Sequence, residues 1–160
     1  MDKDAYLEIN ASQRPALALL ETMGYTYISP ADCDKQRGSR YHVLLRDILR
    51  GQLRRLNRYV YAGAENEFSA ANIERAMEDL DEPLTDGLVR TSEKIYDALL
   101  LGKSYPETVG DGKMLSFNLK YIDWDNPQNN VFHVTEEFAV DSRDRQHNAR
   151  PDIVLFINGI

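Results

Sequence analysis

The chain has a single cysteine, Cys33, in 160 residues. One thiol excludes an internal disulfide framework and any cysteine-based zinc site. No apolar run approaches the ~18 residues that cross a bilayer. The opening stretch MDKDAYLEIN has no apolar segment of the kind that directs export. There is no Walker-type glycine loop, no Gly-x-Ser-x-Gly elbow and no Cys/His constellation. His42, His133 and His147 share no metal-like spacing. Internal repeats and low-complexity linkers are also missing. These absences predict a cytoplasmic protein with no membrane association. Its 42% apolar and 28% charged content is that of an ordinary globular chain, long enough to bury one core.

Charge is present but unevenly placed. The net charge is −7, which argues against loose coating of nucleic acid. Within residues 31–60, however, eight basic residues face three acidic ones, and within 61–100 ten acids face three bases. A basic segment of this kind serves as a local phosphate footprint even in an acidic chain.

Hydrophobic periodicity changes along the chain. Residues 1–102 read as mainly helical and 113–160 as strands. Ser12 is placed to cap a first helix, Pro15 suits its first turn, and Leu17, Leu20 and Met23 form its core stripe before Gly24. A second helix over roughly 40–58 carries Leu45, Ile48, Leu49, Leu53 and Leu56 on one face, with Gly51 costing it about 1 kcal/mol against Ala. Phe68 and Ser69 form a staple and N-cap for a third, with Ile73, Ala76, Met77 and Leu80 as its face and Pro83 as its breaker. A fourth runs from about Asp86 to Leu101 and stops at Gly102. In KMLSFNLKYI the period is two, with Leu115, Phe117, Leu119 and Tyr121 alternating with polar residues. VFHVTEEFAV alternates as well, placing Phe132, Val134, Phe138 and Val140 on one face. IVLFI does not alternate and reads as a strand buried on both faces. Helices followed by strands predict an α+β fold, a helical N-terminal two-thirds packed on a mixed, mostly antiparallel sheet.

The chemistry-bearing residues are few. Asp152 follows Pro151 at the start of IVLFI, where a strand can hold a carboxylate at the mouth of a cleft. Taken alone, the pair is better explained by ordinary turn chemistry, which favours both Pro and Asp. Glu136 and Glu137 lie on the preceding strand, on opposite faces by alternation, so one of them shares the face of Asp152. Paired carboxylates suit a hard divalent cation such as Mg2+; a solvated strand face is the alternative. Arg46, Arg50, Arg54 and Arg58 recur at i, i+4 and line one side of the second helix. Such a stripe follows a phosphate backbone, docks an acidic partner, or is solvated decoration.

Asn158-Gly159 is a strong hairpin signal, because a type I′ turn needs positive φ at both positions. Only Ile160 follows it. A buried strand with its hairpin partner missing reads as a fragment of a longer protein.

The segments FSAANIERAMEDL, KIYDALLLGKSYPETVGDGK, YIDWDNPQNNVFHVTEEFAV and RPDIVLFINGI together resemble the N-terminal region of the R (restriction, or motor) subunit of type I restriction–modification enzymes. The resemblance spans most of the chain and is most specific in the last two segments. It implies a PD-(D/E)xK nuclease core, incomplete at its C-terminus, with 1–160 an N-terminal fragment of that domain. It implies that Asp152 is a catalytic metal ligand for Mg2+. The Glu-x-Lys that completes such a site would lie on the strand beyond Ile160. The acid that many superfamily members carry on the first helix falls here at Gln13, with Glu21 a weak substitute. The resemblance further implies double-stranded DNA as substrate, methyltransferase and specificity subunits as partners, and an ATP-driven motor outside this segment. The fragment alone is expected to be inactive. A non-catalytic docking module, using the helical half and its arginines, is the alternative.

Overall fold

The structure is a computed structural model that describes residues 12–81, 87–141 and 148–160. The elements in chain order are α1 (Arg14–Thr22), β1 (Thr26–Tyr27), α2 (Pro30–Arg37), α3 (Arg46–Leu56), β2 (Tyr59–Tyr61), β3 (Ala64–Asn66), α4 (Ala70–Leu80), α5 (Leu88–Leu101), β4 (Lys103–Thr108), β5 (Met114–Leu119), β6 (Phe132–Glu136) and β7 (Ile153–Ile157). The fold is α+β. The chain divides into two compact units, one made of residues 1–45 and 131–160, the other of 46–130.

The first unit is built on a three-stranded sheet in the order β1-β6-β7. β1 runs parallel to β6, with Tyr27 opposite Val134. β7 runs antiparallel to β6, in a register from Phe132↔Ile157 to Glu136↔Ile153. The sheet is therefore mixed, as expected. IVLFI differs from expectation: Leu155 is 47% exposed and Phe156 buried, so β7 has one covered face and lies at a sheet edge among the described residues. A short β-branched and aromatic run carries no information about how many faces will be covered.

α2 went unforeseen because PADCDKQR has almost no apolar stripe for periodicity to detect. Its end signals are nevertheless complete. Ser29 Oγ accepts from Asp32 N–H at 3.2 Å, Pro30 opens the first turn, and Gly38 closes the helix at φ 70°, a left-handed position that costs glycine nothing. The helix buries Cys33 and Arg37. Arg37 donates to Asp34 Oδ1 at 2.5 Å and to the Ala139 carbonyl at 2.6 Å, and its guanidinium lies 4.1 Å from the centroid of the Phe138 ring. Phe138 in turn meets Phe156 edge-on at 5.4 Å.

α1 also departs from expectation. Its N-cap position is Gln13, not Ser12, and no side chain caps it. Leu17 and Leu20 are half-buried, while Met23 is 66% exposed. The residue that this end of the chain buries is Gln13 itself, at 8% exposure.

The second unit packs α3 against α4. Leu49 and Leu53 from one helix and Ile73, Ala76 and Met77 from the other are fully buried, each large side chain contributing roughly 1.5–3 kcal/mol. Observed α3 starts at Arg46, six residues later than the predicted 40–58, and at its other end Asn57 stops it: its Nδ2 donates to the Leu53 and Lys120 carbonyls, both at 2.9 Å. Ser69 caps α4 as predicted, accepting from Asn72 N–H at 3.3 Å, with Phe68 and Ile73 buried beside it. Pro83 lies outside the described residues. α5 ends at Gly102, where an added Cβ would stand 2.5 Å from the Leu119 carbonyl oxygen. The chain then forms β4, which pairs antiparallel with β5 over six residue pairs. Strand β4 and the β2–β3 hairpin were not foreseen. Leu115, expected inside, is 43% exposed, whereas Leu119 and Tyr121 are buried.

Candidate functional site

The alternation expected of VFHVTEEFAV breaks at Glu137, which adopts φ 53°. The N–H groups of Glu137 and Phe138 donate to the carbonyls of Asp152 and Pro151, at 3.1 and 3.2 Å. The ladder thus continues past β6 through a bulge-like kink, of the sort that re-aims side chains beside functional sites. Glu136 and Glu137 were expected on opposite faces. The positive φ overturns that, and both line one cavity of about 440 Å3, together with Gln13, Glu21, Tyr27 and Arg150.

Each member of this cavity has a defined anchor. Tyr27 Oη donates to Glu136 Oε1 at 3.1 Å; burial, then the Glu136 carboxylate, raises the pKa of that phenol. Gln13 Nε2 donates to Glu137 Oε1 at 3.3 Å. Arg150 Nε is paired with Glu137 Oε2. Gln13 Oε1 is buried and has no hydrogen-bond partner. Leaving a buried acceptor unsatisfied costs about 1–3 kcal/mol, so this oxygen is poised for a donor or a cation. Carboxylate and amide oxygens are the hard donors that Mg2+ prefers, but Arg14 and Arg150 also line the cavity, and the described residues hold no cluster of three or more His, Cys, Asp or Glu that could bind a metal ion. Histidine is not involved: His133 is on β6, and burial lowers its pKa, so its neutral form is favoured. His147 lies outside the described residues.

Asp152 sits immediately ahead of β7 and is exposed. Its carbonyl is tied to Glu137, and its carboxylate is not among the groups that line the cavity. Tyr27 and Arg150 were missed as site residues. No motif marks Tyr27, whereas Arg150 was visible in the Arg-Pro-Asp string but had no assigned role.

Of the four arginines expected along one helix, Arg46, Arg50 and Arg54 lie on α3, whereas Arg58 falls beyond its end at Leu56; the set is largely engaged within its own unit. Arg50 pairs with both oxygens of Glu74 and, at 2.8 Å, with Asp47. Arg46 lies 3.8 Å from Glu74, and Arg58 is paired with Glu67 at 2.9 Å. The hydrogen bond from Arg50 holds the Glu74 carboxyl below its ordinary range. Arg54 is exposed.

A protein-family model described as type I restriction enzyme R protein N terminus matches residues 5–160. The chain belongs to that family. It is thus the N-terminal region of a type I restriction enzyme R protein, a component of a restriction system. No curated protein matches, and no solved structure does. Family membership covers both units, including the Glu137 kink and the Arg150-Pro151-Asp152 string. No described helix is long and apolar enough to cross a membrane.

Proposed function

We propose that this R-protein region is the nuclease part of a type I restriction enzyme, hydrolysing phosphodiesters of double-stranded DNA with Mg2+. The observation that carries the reading is the kinked β6–β7 ladder. It puts Glu137 directly against Asp152 through the backbone and turns two carboxylates into one cavity. On this reading Asp152, at the head of β7, is the metal ligand, and Glu137 or Glu136 is a further candidate. Mg2+ held there would polarise the phosphate and activate water. In the whole enzyme, on this reading, the nuclease works with methyltransferase and specificity subunits and an ATP-driven motor. Arg54, with Arg46, Arg50 and Arg58 behind it, would contact phosphates.

The test uses an R subunit that includes this region. Asp152→Ala is expected to abolish cleavage of plasmid DNA while leaving ATP hydrolysis intact. Cleavage that survives the substitution removes Asp152 from the site, and loss of both activities assigns it to folding.

A second reading, docking of the motor to its methyltransferase and specificity partners, is favoured by α5. Leu88, Val89, Tyr96 and Leu101 on that helix are 64–69% exposed. Replacing Val89 and Tyr96 by serine would release the partner subunits in co-purification if α5 holds them, and would leave the complex intact otherwise.

A further inference from the structure

α5 is a 14-residue helix with a single buried residue, Thr91. A helix of that length is marginal in water unless an apolar face is covered. Ile95, Ala98 and Leu99 are half-buried, which accounts for one side. On the other side Val89, Tyr96 and Leu100, spaced by seven and then four residues, fall on one line and are 69, 64 and 47% exposed. Trp124 adjoins the C-terminal end of that line. It is 53% exposed, its Nε1 donates to the Leu99 carbonyl at 2.9 Å, and it shares a small hollow with Leu100. A contiguous run of exposed aromatic and aliphatic side chains marks a contact surface.

The charges beside the stripe bear on what covers it. Glu93 lies on the same line, between Val89 and Tyr96, and Asp97 follows one turn later. With Ser92 and Tyr96 they line a groove that holds two carboxylates and, among the described residues, no base. Neither carboxylate has an ion-pair partner among the described residues. A second copy of the chain does not supply one. A two-fold contact places the same patch on both sides, so an α5–α5 pair centred on the stripe brings Glu93 within a turn of Glu93 or Asp97 of the copy, whichever way the helices run. Lysine or arginine on the covering element matches both carboxylates.

We propose that the outer face of α5 docks an amphipathic helix of a partner protein, one that carries lysine or arginine beside its apolar stripe. The inference rests on the docking reading of α5 and adds to it the chemistry of the partner. Laid along α5, the partner's apolar residues cover Val89, Tyr96 and Leu100, and its cations reach Glu93 and Asp97. The stripe spans roughly 16 Å of helix, so three turns of partner suffice.

The probes are two synthetic helical peptides about 18 residues long, free of tryptophan and sharing one leucine stripe, one flanked by lysines and the other by glutamates. Trp124, the one tryptophan of the chain, reports docking by a blue shift of its emission. The lysine peptide is expected to bind the 160-residue chain about tenfold more tightly than the glutamate peptide at low salt, with the gap closing as salt rises. Glu93→Gln with Asp97→Asn should remove most of that preference, and Val89→Ser with Tyr96→Ser should weaken both peptides. All four side chains are exposed, and circular dichroism checks the fold of each variant. A preference that survives Glu93→Gln with Asp97→Asn comes from the overall charge of −7 and overturns the proposal, as does equal affinity for the two peptides. A dimer in sedimentation that Val89→Ser with Tyr96→Ser undoes also overturns it, by giving the face to a second copy. If neither peptide responds to the carboxylates while Val89→Ser with Tyr96→Ser still releases the partner subunits, the docking reading stands and the basic partner falls. A carboxylate-dependent preference with no such release keeps the basic partner and removes those subunits as its source.

Discussion

The two units of this chain differ in how completely their buried polar groups are satisfied. In the unit of residues 46–130 such groups are satisfied at high density. Glu107, 5% exposed, accepts from Ser69 N–H, Ser69 Oγ and Asn72 Nδ2 at 2.8, 3.0 and 2.8 Å. Tyr105 Oη donates to Asp79 at 2.6 Å and stands 2.8 Å from Tyr121 Oη, which donates to the Ala76 carbonyl. Lys103 closes the set on Asp79 at 2.8 Å. In the unit of 1–45 and 131–160, Arg37 and Asn158 are likewise satisfied, but Gln13 Oε1 and His133 Nδ1 are buried without partners; left-handed non-glycine backbone occurs in both units, at Glu137 in this one and at Ala62 and Asp111 in the other. Closed polar networks rigidify a core. Orphaned groups and strained backbone persist where a site is kept ready for something else.

The chain supplies its own reporters for breaking this comparison, since its one cysteine is buried in the first unit and its one tryptophan, Trp124, lies in the second. The largest effect is expected from Arg37→Ala. It strips a buried guanidinium from Asp34, Ala139 and Phe138 and should cost the first unit about 3–5 kcal/mol. Cys33 should then react readily with a thiol reagent at urea concentrations that leave Trp124 fluorescence unchanged; equal shifts in both signals would mean the units unfold as one.

Next comes alkaline pH. Burial pushes Tyr121 up to about 12, and burial followed by the Asp79 hydrogen bond pushes Tyr105 higher still. A phenol whose folded pKa exceeds its unfolded value stabilises the fold below the unfolded pKa, near 10, and loses that contribution as pH rises through the folded one. The second unit should therefore weaken between pH 10 and 12 by roughly 2 kcal/mol for each of the two phenols, read as a falling urea midpoint in Trp124 fluorescence. Tyr121→Phe should flatten the dependence.

Gln13→Met is expected to leave the first unit's stability unchanged or raise it by about 1 kcal/mol, because an apolar isostere has no orphaned oxygen. A clear loss of stability in thermal melts would place Gln13 among structural residues. The smallest effect separates neighbours on α3. Arg50→Ala should cost about 0.5–1 kcal/mol and Arg54→Ala almost nothing, a difference visible only in denaturant midpoints.

How much of this was legible in the sequence follows from where the signals were local. The Ser69 cap, Gly102 and the core face of α4 were readable, since capping and 3.6-residue periodicity act within a few residues. α2 was readable from its ends alone, and relying on apolar spacing missed it. The short strand β1 was invisible because its pairing is decided by distant partners, His133 and Val134; β4 pairs with its near neighbour β5, but Pro106 in its middle spoke against a strand. The candidate site was legible as a set of carboxylates on adjacent strands. Its assembly was not, because alternation predicts opposite faces for Glu136 and Glu137, and only the positive φ of Glu137 cancels it.

The predicted Asn158-Gly159 turn is present, with φ of 56° and 87°. Ile157 and Ile160 exchange both backbone hydrogen bonds across it, at 3.1 and 3.0 Å. Unlike most hairpin tips it is covered: Asn158 is fully buried, trading hydrogen bonds with Val131 in both directions, while the Gly159 carbonyl accepts from Leu45 N–H at 2.8 Å. A hairpin tip is usually the first place to graft an epitope, a fluorophore or a linker. Here the graft would pull apart three segments at once, so labels for following this protein belong instead at Ala62, an exposed residue at the β2–β3 tip that already carries a Cβ at φ 50°.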